Sequence, residues 1–259
     1  TDYAVCCVEV SGVDCVEWDN DIPLKYGVDQ CIGDTIGPGG LFKALRTVPV
    51  FLDILRDMAE LCPQAIMLNY TNPMNMMCLA AGRAVPEIPV VGLCHSVQGS
   101  SRLLARYAEV PYEEFEWDCA GINHLAWFVK ARHNGEDMYE KVILPKFKRE
   151  VAKAIEEYEA GITSHDDRDR GGEDDWTITD VVRKDMTLHF GAYITESSGH
   201  LSEYLPYYRK SKAGEQYLRT RYDGGSRFYA TNWPGWRTSA DERRTKLVSG
   251  EESVKMQRS

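Results

Sequence analysis

The chain has 259 residues, 43% hydrophobic and 27% charged, with 40 Asp+Glu against 30 Lys+Arg and a formal net charge of -10. That composition is ordinary for a soluble globular protein and excludes a disordered tail, a collagen-like fibre and a disulfide-dense miniprotein. The acidic balance, with no Lys/Arg run, speaks against nucleic acid or anionic lipid as a partner, and no stretch approaches the ~18 apolar residues that suggest a membrane span.

The chain opens at Thr1-Asp2-Tyr3-Ala4, with neither a signal peptide nor an initiator methionine, and is expected to be a piece of something longer. Tyr3 to Val10 is predicted as a buried strand, followed by a polar loop and the glycine-rich turn Gly33-Asp34-Thr35-Ile36-Gly37-Pro38-Gly39-Gly40. Leu41, Leu45, Val48, Leu52, Leu55, Ala59 and Cys62 then repeat at spacings of four and three, the signature of an amphipathic helix, with Pro49 expected to kink or break it. Ala65 to Leu68 is a short buried strand ending at Asn72-Pro73, Met74 to Ala84 a helix, and Ile88 to Leu93 a strand ending at Cys94. Strands alternating with helices imply a parallel sheet, and in such sheets ligands sit at the carboxyl ends of the strands.

Beyond about residue 100 the pattern changes. Phe115–Gly121 and Leu125–Ala131 read as strands flanking Ile122-Asn123-His124, and Asn134-Gly135 offers a tight turn. Asp137 to Ala160 is predicted largely helical with Pro145 interrupting it, Thr163 to Asp175 a solvated acidic loop, and Thr179 to His189 helical. The resulting fold class is α/β, with a parallel sheet in the first hundred residues and a mixed pattern after it.

All eight cysteines, Cys6, Cys7, Cys15, Cys31, Cys62, Cys78, Cys94 and Cys119, fall mostly in apolar runs and read as reduced, buried thiols of a cytoplasmic protein. Cys94 is the exception. With His124 it could hold a transition-metal ion, each residue following a glycine at the end of an apolar run; a buried thiol and a hydrogen-bonded histidine are the alternative. Gly37-Pro38-Gly39-Gly40 could present amides to an anion or simply begin a helix. Asn72 could cap the next helix or bind a ligand hydroxyl. Tyr204, Tyr207 and Tyr208 could be packing, or one of them a base.

Taken in order, Ile22–Gly27, Gly33–Gly40, Ala44–Thr47, Asn69–Met74, Gly92–Gln98, Ala120–His124 and Thr195–Tyr204 resemble glycoside hydrolase family 4, in its α-galactosidase (melibiase-type) branch. The resemblance implies a fold like that of lactate and malate dehydrogenases, with residues 1–94 the later part of a Rossmann-like NAD-binding domain, a partial parallel sheet, and residues 95–259 an α+β catalytic and metal-binding lobe truncated at its C-terminus. It implies NAD and a divalent metal, usually manganese, as cofactors. It implies Cys94 and His124 as metal ligands, Asn72 as the substrate-binding asparagine, Tyr204 as the catalytic base and His95 as proton donor to the leaving group. NAD would take hydride from C3 of an α-galactoside, the resulting ketone would acidify the C2 proton, and elimination, water addition and hydride return would follow. A small-molecule α-galactoside is then the partner, and a homo-oligomer, dimer or tetramer, is implied at full length. The Cys-His-Ser-Val form, and the lack of an arginine near Cys15-Val16-Glu17, point to an unphosphorylated sugar.

The family's N-terminal strand and glycine-rich pyrophosphate turn have no counterpart here, so no NAD-binding residue is assigned, and an isolated 259-residue fragment is expected to bind NAD poorly and turn over little. The competing expectations are an α-glucosidase or α-galacturonidase of the same family, and a degenerate, non-catalytic sugar- or metal-binding fragment.

Overall fold

The computed structural model describes residues 1–162, 180–218 and 224–253. Strands β1 (Tyr3–Cys6), β2 (Ile66–Asn69) and β3 (Val90–Gly92) form a parallel sheet in that order, with Ala4 opposite Met67 and Met67 opposite Val90. Between them run α1 (Gly12–Lys25), α2 (Gly37–Leu61) and α3 (Met74–Ala84). Parallel neighbours cannot be joined by a tight turn, so each crossover is helical. The apolar stripe of α2 buries Phe51, Leu55 and Met58 against Met67 of β2, Met77 and Ala81 of α3, and Cys6. The other face of the sheet shows Tyr3, Val5 and Val91, exposed at 65%, 65% and 45%.

Three expectations for this region need correction. The first strand stops at Cys6 instead of Val10, and the pairing is carried on by a side chain, Val8 N–H donating to Thr71 Oγ1 at 2.9 Å. The stretch expected as a polar loop contains helix α1. Its inner face is made of Val16, Asp19, Asn20 and Pro23, so it offers no apolar stripe to read. Helix α2 runs through Pro49 unbroken. Pro49 lies on the exposed side of the helix, one turn after exposed Leu45, away from the packed face.

The second layer is antiparallel: β4 (Glu116–Ile122), β5 (Leu125–His133) and β6 (Glu136–Asp137) in order, with β7 (Tyr193–Ile194) also pairing β5. Asn134 and Gly135, at φ 51° and 80°, make the expected two-residue turn. Helix α4 (Ser96–Ala108) packs Leu104 and Tyr107 onto Phe128, Ile143, Phe147 and Tyr193. Pro145 sits in the first turn of α5 (Leu144–Glu159), after a π-helical turn at Tyr139–Ile143, so it starts the helix where an interruption was expected. Next come α6 (Val181–Phe190), α7 (Ser198–Tyr204), α8 (Lys212–Glu215) and α9 (Phe228–Ser249). The acidic loop at 163–175 lies outside the described residues. No helix among the described residues is long and apolar enough to cross a membrane.

Candidate active site

Five segments converge where the carboxyl ends of β2 and β3 meet the tip of the β4–β5 hairpin. They line a cavity of about 340 Å³ whose polar wall is Asp34, Asn72, Cys94, His95, His124, Glu196 and His200. Local geometry places each one. His124 occupies the hairpin turn at φ 65°, and Gly121 beside it could not carry a Cβ, which would fall 2.6 Å from Ala126 Cα. Asn75 of α3 holds the tip on both sides, accepting from Asn123 N–H at 3.3 Å and donating to the Asn123 carbonyl at 3.4 Å. Glu196 has φ 69° and follows Thr195, which is tied to Ala126 by two hydrogen bonds.

Asn72 is not a helix cap. The cap position of α3 is Pro73, after a cis Asn72-Pro73 bond, and the Asn72 side chain donates to Asp34 Oδ2 at 3.1 Å. The cap alternative therefore falls, and Asn72 faces the cavity.

Cys94 Sγ lies 3.3 Å from His124 Nε2, and Glu196 Oε1 lies 3.5 Å from the same nitrogen and 3.9 Å from the sulfur. One donor atom from each of the three falls within 4.8 Å of the others, as does a second set, Asp34, His124 and His200. The first set mixes thiol, imidazole and carboxylate at the cavity wall and suits a divalent transition ion with positions left open. The other face of His124 fixes which of its nitrogens is free. Thr35 gives its hydroxyl hydrogen to Asp34 Oδ1 at 2.7 Å, so Thr35 Oγ1 accepts from His124 Nδ1 at 2.7 Å. Nδ1 therefore carries the proton, and the lone pair of Nε2 points toward Cys94 and Glu196. This carboxylate–hydroxyl–imidazole chain is the kind of outer support that fixes a metal-binding histidine. It also commits Nδ1, so Nε2 is the nitrogen through which His124 can bind a metal.

The shifts at Asp34 and His124 suit a site for a cation, and the shift at the Cys94 thiol runs against it. Burial pushes Asp34 up, but His200, His124, Lys43 and the Thr35 hydroxyl outweigh it and keep its carboxyl below the ordinary range. Burial, then His200, lowers His124, which favours the neutral ring a metal needs. Burial raises the Cys94 thiol, with hydrogen bonds from Ser96 opposing it.

The structure thus gathers Cys94, His95, His124 and Asn72 into one cavity. His95 is exposed at its mouth, tilted against Tyr70 at 6.0 Å. Tyr204 does not line this cavity. Its ring borders a separate pocket of about 180 Å³, and its buried hydroxyl lies near Thr35 without a hydrogen-bond partner. Burial, then Asp34 and Glu203, raises the Tyr204 hydroxyl well above its usual value. His200 stands between, its ring 4.8 Å from that of His124 and 5.8 Å from that of Tyr204.

Sequence reasoning assigned no role to Asp34, Thr35, Glu196 or His200, although all four lie in stretches it singled out. Ser197 followed by His200 at the third helical position was the readable sign of a capped helix start, and Ser197 Oγ does accept from His200 N–H at 3.3 Å. Two cavity carboxylates, Asp34 and Glu196, also went unpaired in the sequence because 162 positions separate them. The glycine-rich turn serves close packing: a Cβ on Gly39 would lie 2.4 Å from the Gly33 carbonyl, and the Gly39 amide is taken by Gln30. All eight cysteines are free, but Cys6 and Cys31 alone are fully buried, and Cys7 is exposed past the end of β1.

A parallel sheet of this connectivity, with a Cys–His–Glu cluster at its carboxyl edge, defines a Rossmann-like α/β protein with a site fit for a metal. Residues 1–110 match the family described as family 4 glycosyl hydrolase, and residues 119–256 its C-terminal domain. The chain belongs to glycoside hydrolase family 4. It is 41% identical over 209 residues to an α-galactosidase of Rhizobium meliloti, covering 80% of this chain and 38% of the relative. It is 40% identical over 192 residues to an α-galactosidase of Bacillus subtilis (74% and 39%) and 31% identical over 266 residues to an α-galacturonidase of Thermoanaerobacterium saccharolyticum (98% and 54%). The chain therefore spans about half the length of these curated relatives, or less. Among solved structures, the Bacillus subtilis glucosidase candidate lplD aligns with TM-score 0.76 at 26% identity, covering 98% of this chain and 56% of that one. A 6-phospho-α-glucosidase from gut microorganisms, solved with NAD and Mn²⁺, shares the fold with TM-score 0.67 at 20% identity, covering 98% and 53%.

Proposed function

We propose that the protein hydrolyses α-galactosides, using NAD and a divalent metal such as manganese. The observation that carries this reading is the Cys94–His124–Glu196 cluster beside Asn72, in a family whose solved members include one with NAD and Mn²⁺. The higher identity to the two α-galactosidases than to the α-galacturonidase favours the galactoside.

Cys94, His124 and Glu196 are the residues that would hold the metal, and their sulfur, nitrogen and oxygen donors fit one. When bound, the metal supplies Lewis acidity to sugar oxygens, and NAD supplies a hydride acceptor. The chain's own residues do the rest. Asn72, fixed by its bond to Asp34, offers its amide to a sugar hydroxyl. His95, exposed at the cavity mouth, gives a proton to the departing oxygen. Tyr204 keeps the role of taking the C2 proton that the family resemblance implies; its ring borders the neighbouring pocket, and its hydroxyl is raised well above its usual value by burial, Asp34 and Glu203. No residue is assigned to NAD. A homo-oligomer and a cytoplasmic setting accompany this reading.

The test is hydrolysis of nitrophenyl α-galactoside, α-glucoside and α-galacturonide, with and without NAD, Mn²⁺ and a reductant. Turnover of the galactoside that needs both additions, with solvent deuterium entering C2 of the product, is the expected result. Hydrolysis without NAD, or product free of deuterium, would overturn the reading; preference for another sugar would move the assignment within the family.

A further inference from the structure

We propose that Glu203 is a positioning residue: its carboxylate, reaching from α7, holds the loop that presents Asp34 and Thr35, and so sets which nitrogen of His124 faces the metal cluster. The inference rests on the metal-binding reading above.

Three consecutive amides point at this one side chain. Cys31 N–H and Ile32 N–H donate to Glu203 Oε2 at 2.6 and 2.8 Å, and Gly33 N–H donates to Oε1 at 3.0 Å and to Oε2 at 3.3 Å. Successive amides turned one way form a concavity that takes an anion, and here the chain fills it itself. Gly33 adopts φ +74°, which lets the third amide join the other two. The ionised, acceptor-only form suits four donor contacts. Burial pushes the Glu203 carboxyl above its ordinary range, while the Ile32 and Gly33 amides and His200 pull it back.

The contact matters because Asp34 and Thr35 come directly after the three amides. Asp34 accepts from Asn72 and Thr35, and Thr35 accepts from His124 Nδ1. The carbonyl side of the same loop is gripped from α9, through Arg227 N–H to Gln30 O at 2.8 Å and Tyr229 N–H to Cys31 O at 2.9 Å. Those bonds end at Cys31. The amides leading into Asp34 depend on Glu203. Helix α7 thereby couples the loop to His200 on the cavity wall and to Tyr204, the adjacent residue.

The test compares wild-type protein with E203Q, T35V and the double variant. Gln keeps the shape but turns an NH₂ toward one of the amides. Three readouts apply: Mn²⁺ affinity from the electron paramagnetic resonance signal of free Mn²⁺, His124 tautomer from ring-nitrogen NMR shifts without metal, and amide exchange of residues 31–33. E203Q is expected to lose protection at 31–33, to show mixed His124 tautomers, and to bind Mn²⁺ about tenfold more weakly, the lower end of losses seen when a ligand's support is removed. The double variant should be little worse than T35V, because both act through one path. An E203Q protein with faster loop exchange but wild-type tautomer and Mn²⁺ affinity overturns the proposal, as do multiplicative effects in the double variant. An E203Q protein that fails to fold assigns Glu203 to folding itself and overturns it as well. If wild-type protein takes up no Mn²⁺, the metal reading fails, and the tautomer shift alone decides the role of Glu203.

Discussion

Thr35→Val probes the site where its geometry is most constrained. Valine keeps the shape and removes one oxygen that donates to Asp34 and accepts from His124 at 2.7 Å in each case. Thr35 is 1% exposed and His124 4%, so water cannot replace the lost bonds. A buried donor left without its acceptor costs about 1–3 kcal/mol. The imidazole can avoid that cost by moving its proton to Nε2, which then faces Cys94 and Glu196 and blocks the lone pair a metal needs. Either route weakens metal binding by roughly 10–100-fold, equivalent to about 1.4–2.7 kcal/mol. Titrating Mn²⁺ against the variant, with circular dichroism to show that the fold persists, measures the loss. A well-folded T35V protein with wild-type affinity would refute the argument that Thr35 fixes the tautomer.

Three further outcomes rest on the same geometry. Glu196→Gln should lower Mn²⁺ affinity at least several-fold with little effect on melting, since the side chain is partly exposed and its polar neighbours are His124, Cys94, His200 and the Ser197 amide; unchanged affinity would remove Glu196 from the ligand set. Asn75→Ala cuts both bonds to Asn123 without touching the cavity wall, and should weaken Mn²⁺ binding by loosening a hairpin tip held at positive φ; equal affinity would show the tip to be self-supporting. Leu55→Ala, at a fully buried core position between α2 and the sheet, should cost about 3–5 kcal/mol in chemical denaturation, and a loss below about 1 kcal/mol would mean that the site collapses around the deletion.

Regular patterning made some of this legible and chemistry the rest. The Met74–Ala84 helix and the turn at Asn134-Gly135 follow from spacing and turn chemistry, and the structure bears them out. Helix α2 forms where the spacing placed it, but its buried face is not the stripe read from the sequence: Leu41 and Leu45 are exposed, and Leu55 is buried together with Ala44, Thr47, Phe51 and Met58. Helix α1 stayed hidden because its buried face carries Asp19, paired with Arg46, and Asn20, bonded to Val16 O. Polar partners that no periodicity reports take up the Asp19 carboxylate and the Asn20 amide N–H there. Strand-end position pointed to Asn72 and Cys94, since the parallel sheet puts its ligands there. Glu196 and His200 were beyond that rule. They reach the cavity only because β7 pairs β5 and turns the start of α7 toward the hairpin tip, a tertiary event that depends on residues far away in the chain.

Tyr204 presents the sharpest separation between stability and function. Its hydroxyl is buried and unpaired beside Thr35, whose own hydrogen is committed to Asp34 and whose oxygen already serves His124. A hydroxyl without a partner is a cost to the fold, of the order of 1–3 kcal/mol when compared with a satisfied one. Removing it leaves an aromatic ring of almost the same shape in the same packing against His200. Tyr204→Phe should therefore melt at the wild-type temperature or above it, retain Mn²⁺ binding, and lose turnover together with deuterium exchange at C2. A variant that melts several degrees lower would show that the hydroxyl finds a partner in solution and is held for structure. A stable variant that still turns over would move the proton-abstracting role to a group on the cavity wall, such as His200, whose ring is 5.8 Å from that of Tyr204. Loss of Mn²⁺ binding alone would place Tyr204 in the metal's support and not in the chemistry at C2. The three readouts fall in different directions for each role, so one substitution distinguishes them.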